Sequence, residues 1–197
     1  MEYKGFDKNF SLEGKVAMVT GAAQGIGQAI AVLYAEKGAD LVLVDLQDAS
    51  GGTGKTVAGF GRKVETVTAD LTKNEDIQRA VSAAINAFGK IDILVNSAGV
   101  VFLDDAENLA EDDWDKTIAV NMKAPFMLSQ AVGRHMITAG GGNIVNLASQ
   151  AGVVALDNHV AYCASKAGII SMTKTLAMEW GGFNINVNAI SPTVILT

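Results

Sequence analysis

"TGAAQGIG", Thr20 to Gly27, follows the apolar run "KVAMVT" (15–20) and leads into the helical pattern "IGQAIAVLYAEKG". Its three glycines have separate uses. Gly21 permits a tight turn, Gly25 lets the backbone approach a phosphate, and Gly27 lets the helix lie close to the strand. Amides near Ile26 then face an anion from a helix N-terminus. Asp45 ends the next apolar run, 18 residues after Gly27. An acidic side chain at that spacing accepts hydrogen bonds from ribose hydroxyls. Together the glycines and Asp45 point to a dinucleotide.

A second glycine-rich stretch, "SGGTGKT" (Ser50–Thr56), competes for the phosphate. The ATPase loop G-x-x-x-x-G-K-[ST] needs glycine where this chain has Ala49. It must also open a solid helix, yet "VAGFGRK" follows, with Gly59 and Gly61. Each glycine inside a helix costs about 1 kcal/mol relative to alanine. The expectation is a glycine-rich surface turn and a weak helix.

Outward from the first loop, short β-rich runs alternate with longer helical patterns. The strand candidates are 15–20, 41–46, 64–70, 91–98, 143–149 and 186–191. Several are nearly continuous aliphatic runs, as in strands covered on both faces. The pattern predicts one Rossmann-type α/β domain over 1–197, a doubly wound parallel sheet flanked by helices on both faces. Ligands of such sheets bind at the carboxyl ends of the strands, so chemistry is sought there.

Composition bounds the partners. Of 197 residues, 49% are apolar and 18% charged, which is a globular balance. A net charge of -6 argues against nucleic acid or an anionic membrane as partner. The single cysteine, Cys163, fits a reducing cytoplasm and reads as a small apolar side chain. The N-terminus carries scattered charges without an apolar signal region, and no uncharged apolar run reaches membrane-span length. His159 has no metal-ligand spacing around it, so no metal is expected.

Further along stand "NSAG" (96–99), Asn121, Ser149 and "YCASK" (162–166). With T-G-x-x-x-G-x-G, this order and spacing resembles the short-chain dehydrogenase/reductase family, and within it the NAD-dependent polyol dehydrogenases. The resemblance runs from Leu12 to Thr197. It implies a catalytic set of Asn121, Ser149, Tyr162 and Lys166. It implies NAD contacts from Gly21, Gln24, Gly25, Ile26, Gly27 and Asp45. Asp70 and Leu71 would bracket the adenine, and Asn96, Ala98 and Gly99 would line the adenosine ribose. Tyr162 and Lys166 would reach the nicotinamide end, with Ile195 and Thr197 at its carboxamide. Two positions depart from the family: Ser97 replaces an asparagine, and Thr193 follows Pro192 where glycine is usual. The family also continues past a point equivalent to Thr197 with a substrate loop, a helix and a last strand.

The residues suit the chemistry. Tyr162 and Lys166 are four apart and share a helix face. A phenol becomes a usable acid or base beside an ammonium. Ser149, 13 residues before Tyr162, can orient the substrate oxygen or merely cap a helix. Pro125 lacks the N–H that the Asn121 carbonyl would otherwise receive, which kinks the helix and frees that carbonyl for a water beside Lys166. Gln150, Asn158 and His159 flank the mouth and either suit a hydroxyl-rich substrate or are plain exposed loop polarity. The helix "AYCASKAGIISMTKTLAMEW" is apolar nearly all round, which calls for a second covering surface and a dimer or tetramer. The expected activity is hydride transfer between a secondary alcohol or polyol, or the matching ketone, and NAD. A 3-oxoacyl-thioester reductase of the same fold and a non-catalytic NAD-binding protein are the alternatives.

Overall fold

The computed structural model describes residues 10–193. Among these, six strands form one sheet: β1 (Val16–Thr20), β2 (Asp40–Asp45), β3 (Val64–Thr68), β4 (Ile93–Asn96), β5 (Gly142–Leu147) and β6 (Ile185–Ile190). Their order across the sheet is β3-β2-β1-β4-β5-β6. Every neighbouring pair is parallel. The expected doubly wound sheet is present.

Strand alternation explains the continuous apolar runs. Val16 and Met18 of β1 enter one core, and Ala17 and Val19 enter the other. In β2, Val42 and Val44 join the first core while Leu41 and Leu43 join the second. Helices α3 (Asn74–Phe88), α5 (Ala124–Ala139) and α6 (Val160–Trp180) supply Ile77, Leu128 and Leu176 to the first core. Helices α1 (Gly25–Glu36) and α2 (Lys55–Gly59) supply Ala31 and Val57 to the second. A strand with apolar side chains on both faces needs such cover on both.

No residue of "SGGTGKT" lines the cleft at the strand ends. Ser50–Gly54 winds as a wide π-helical turn that runs on into α2, and Lys55 projects into solvent. The stretch is less superficial than its composition implies, because Thr53 and Gly54 are buried. A second wide turn, Ala119–Lys123, joins α4 (Glu111–Ile118) to α5. There the Ala124 amide bonds to the Ala119 carbonyl, five residues back. The ladder thus loosens around Asn121, just ahead of the proline that lacks a donor.

On α6, Ala161, Ser165, Lys166, Ile169, Thr173 and Leu176 are buried, whereas Val160 and Met178 are exposed. Among the described residues no helix is long and apolar enough to cross a membrane.

The sheet reverses its order between β1 and β4, and α1 begins at that point. Gly21 takes φ +66°, and a Cβ on it would come within 2.9 Å of the Ala98 backbone. A Cβ on Gly27 would overlap the Gly21 carbonyl oxygen. Backbone cannot yield as a side chain tip does, so Gly27→Ala should cost about 3 kcal/mol or more, at the upper end of overpacking penalties. Gly51→Ala meets nothing within 4 Å. It should be neutral or stabilising by up to about 1 kcal/mol. Urea unfolding of the two variants measures the contrast, and equal stabilities would refute it.

Candidate active site

The carboxyl ends of the strands surround a cleft of about 1130 Å³. That exceeds the roughly 300–1,000 Å³ of common single-ligand pockets. The expected residues Gly21, Gln24, Gly25, Ile26, Gly27, Asp45, Asp70, Leu71, Ala98, Gly99, Ser149, Tyr162 and Lys166 all line it. Ile195 and Thr197 lie outside the described residues.

The loop between β1 and α1 is held in place by backbone and side-chain bonds. The Gly21 amide donates to the Val44 carbonyl at 2.9 Å. Thr20, buried, receives the amides of Ser97 and Ala98 at 3.0 and 3.1 Å, which ties the ends of β1 and β4 together. The Asp45 carboxylate accepts the Ala23 amide and the Gln47 amide, each at 2.9 Å. Asp45 is therefore a loop tether as well as a cleft residue. An ionised carboxylate has about four acceptor sites, so two remain for a ligand. Asp70 is held as an anion below the usual carboxylate range, chiefly by the Thr72 hydroxyl and amide.

Asn96 departs from expectation. Its side chain does not line the cleft but turns into the interior, where Nδ2 donates to Asn146 at 2.8 Å and to Ser129 at 3.1 Å. Asn146 in turn donates to Thr173 at 3.0 Å. This buried polar group joins β4, β5, α5 and α6 behind the cleft. The motif shows an asparagine at a strand end, but not which face it takes.

Asn121 is likewise buried and does not line the cleft. Its side chain acts as a clamp: Oδ1 accepts the Val100 amide and Nδ2 donates to the Val100 carbonyl, both at 2.8 Å. The same Nδ2 reaches the Ser165 hydroxyl at 3.3 Å. Asn121 thereby fixes the chain after β4 against α6. A Cβ on Gly99 would stand 3.4 Å from its Oδ1 and 3.8 Å from the Lys166 ammonium, which places these groups around one spot.

Ser149 both caps and lines. Its hydroxyl accepts the Ala151 amide at 3.1 Å at the start of a short turn, Gln150–Gly152, and it borders the cleft. Gly152 makes this arrangement possible, because a Cβ there would lie 2.8 Å from the Lys166 backbone. The turn carrying Ser149 is thus laid directly on α6. Sequence reading missed Gly152, since the contact it permits is with a residue on another element. Val100, Val101, Asp115, Lys116, Leu147 and Ala148 also line the cleft and carry no motif signal. Gln150, Asn158 and His159 are not among the lining residues, which favours loop polarity over substrate contact for them. His159 instead stacks edgewise on Tyr162, with ring centroids 6.1 Å apart.

Lys166 is buried on α6, one turn from Tyr162. Its Nζ donates to the Leu147 carbonyl at 2.7 Å and lies 5.5 Å from the Tyr162 ring centroid. Burial pushes its pKa down to about 8. An ammonium at neutral pH therefore sits beside a half-buried phenol and a capped serine hydroxyl, all on one cleft. Such a grouping can pass a proton to or from an oxygen held between serine and tyrosine. Among the described residues no group of three or more His, Cys, Asp or Glu is placed to hold a metal ion.

The family model for short chain dehydrogenase matches residues 15–197. An NAD-dependent glycerol dehydrogenase of Listeria innocua is 56% identical over 199 residues, covering 100% of this chain and 77% of that protein. A D-threitol dehydrogenase of Mycolicibacterium smegmatis is 52% identical, covering 97% of this chain and 74% of that protein. Among solved structures, an NAD+-bound xylitol dehydrogenase superposes with a TM-score of 0.89 at 38% identity, covering 92% of this chain and 70% of that one. The chain belongs to the short-chain dehydrogenase family of oxidoreductases.

Proposed function

We propose that the protein is an NAD-dependent dehydrogenase of polyols or related secondary alcohols. The observation that carries this reading is one cleft bordered by the glycine loop, Asp45, Ser149, Tyr162 and Lys166. Relatives more than 50% identical act, by name, on glycerol and D-threitol, which favours a small hydroxyl-rich substrate. In this reading residues 1–197 work as one dinucleotide-binding and catalytic domain in the cytoplasm. The exposed side of α6 takes part in a homodimer or tetramer.

The residues present suit the cofactor. No side chain intervenes where Gly21, Gly25 and Gly27 border the cleft, so backbone amides at the start of α1 are open to an anion. Asp45 suits a ribose diol, and its flanking Leu46, with Gln24 in the loop, offers no cation for a 2′-phosphate. Bound there, NAD supplies the acceptor for the hydride that leaves the alcohol carbon. Ser149 donates its hydroxyl proton to the substrate oxygen and orients it. Tyr162, in its phenolate form, takes the hydroxyl proton as the hydride departs, and as the phenol returns it in the reverse direction. Lys166 keeps a positive charge beside that phenolate and would hydrogen-bond the ribose of a bound cofactor. Asn121 holds the Val100 segment so that these groups keep their spacing.

Three outcomes follow. Wild type should reduce NAD with glycerol or a tetritol, read by reduced-cofactor absorbance, and Tyr162→Phe should bind NAD normally but turn over about 10²–10⁴-fold more slowly, the usual loss for a general acid/base. A Tyr162→Phe enzyme of near-normal rate would sink the assignment.

Asp45→Ser should narrow or reverse the preference for NAD over NADP in kcat/KM. A wild type that already prefers NADP would remove the role given to Asp45.

The buried lysine makes a prediction about stability. The unfolded chain keeps Lys166 protonated up to about pH 10.5, whereas the folded one releases the proton near 8. Burial therefore penalises the fold below pH 8, and the penalty fades as pH rises toward 10.5. Relative to Lys166→Met, wild type should gain up to roughly 3 kcal/mol across that window. Urea unfolding of both proteins at pH 7 and pH 10 tests this, and a constant difference would contradict it.

A further inference from the structure

The glycine loop has a back as well as a front. Its front, Gly21 and Gln24 to Gly27, lines the cleft. Its back, Ala22 and Ala23, does not, and Ala22 is fully buried. Thr53, also fully buried, donates its hydroxyl proton to the Ala22 carbonyl at 2.8 Å. Gln28 Nε2 donates to Thr53 Oγ1 at 3.0 Å and to the Ala23 carbonyl at 3.4 Å. The Ala23 amide donates to Asp45 at 2.9 Å.

These bonds fall on two peptide planes. A carbonyl and the amide that follows it are rigidly coplanar. Thr53 grips the carbonyl end of the Ala22–Ala23 plane, and Asp45 grips its amide end. Gln28 grips the carbonyl end of the Ala23–Gln24 plane, whose amide end belongs to a residue of the cleft. The wide turn at Ser50–Gly54 is what carries Thr53 inward while Ser50 and Lys55 stay in solvent.

We propose that Thr53 and Gln28 are positioning residues for the dinucleotide, a strut that fixes the orientation of the glycine loop and of Asp45 from behind. The proposal rests on the reading of the cleft as an NAD site. The stretch that looks like a phosphate loop thereby serves the phosphate site of another loop, through a threonine that never meets the ligand. A preorganised loop binds without first ordering itself. Once the Thr53 hydroxyl is gone, the buried Ala22 carbonyl loses its donor and the plane is free to turn.

The test is NADH binding by fluorescence titration, with steady-state kinetics and thermal unfolding, on wild type, Thr53→Val, Thr53→Ser and Gln28→Met. Loss of a buried hydrogen bond predicts that Thr53→Val raises the NADH Kd about five- to tenfold. The loss should fall on KM for NAD rather than on kcat. Thr53→Ser, which restores the hydroxyl, should return Kd to within about twofold, an amount below the net worth of one hydrogen bond. Gln28→Met leaves Thr53 in place and should weaken NADH binding in the same direction, so the test stands even if Thr53→Val fails to fold. A folded Thr53→Val with wild-type Kd, or a Thr53→Ser no better than Thr53→Val, overturns the proposal. So does a Gln28→Met that loses melting temperature and keeps its Kd. Wild type that binds no NADH would instead overturn the cofactor reading on which the strut depends.

Discussion

The first turn of α1 is pressed onto the end of β1, and the rest of the site follows from that contact. Gly27 can stand against the Gly21 carbonyl only because it has no side chain. This proximity brings the helix N-terminus, with its unpaired amides and positive dipole end, to the place where the sheet changes direction. Strands diverge there, so a crevice opens with no further device. Asp45 at the neighbouring strand end then faces both ways, binding the loop's Ala23 amide and bordering the crevice. A basic side chain in place of Asp45 would lose the tether along with the charge.

Residues in the cleft and behind it are held in the same way. Ser149 accepts an amide from its own turn, and Asn121 has both ends of its amide on Val100. Each group therefore enters the site already restrained by the scaffold. Restraint of this kind reduces the ordering that binding must supply. It also means that truncating Asn121 or Asp45 disturbs backbone as well as chemistry. Conservative changes, and the split between KM and kcat, are the measurements that separate the two effects.

Much of this was readable in the sequence, for identifiable reasons. Strands buried on both faces write themselves as unbroken apolar runs, and all six candidates overlap strands in the sheet. Gly21, Gly25 and Gly27 were legible because their requirement is local: a strand, a turn and a helix in succession. "SGGTGKT" departs from the nucleotide-loop spacing at Ala49, but the inward turn of Thr53 is invisible in the sequence, since its bond partner lies 31 residues away. Gly152 and Thr20 were missed on the same ground. Asn96 points away from the cleft, which the sequence does not show, because a motif gives position along a strand, while the face a side chain takes depends on register and on what lies behind. Here Asn146 and Ser129 lie behind it, and they draw the amide inward.

The buried lysine shows what the site costs the fold. A Lys166 ammonium removed from water is compensated by the Leu147 carbonyl and by little else among its hydrogen bonds, and the depressed pKa records the shortfall. A lysine needed only for packing would be better replaced by methionine. The arrangement makes sense if ribose hydroxyls and the Tyr162 phenolate are the partners this ammonium serves. Ground-state strain of this sort concentrates at functional sites. On that view, the same burial that lowers the Lys166 pKa strengthens the electrostatic interactions its ammonium makes. The Ser149 turn, laid against the Lys166 backbone through Gly152, holds the serine hydroxyl on the same cleft as the ammonium and the phenol.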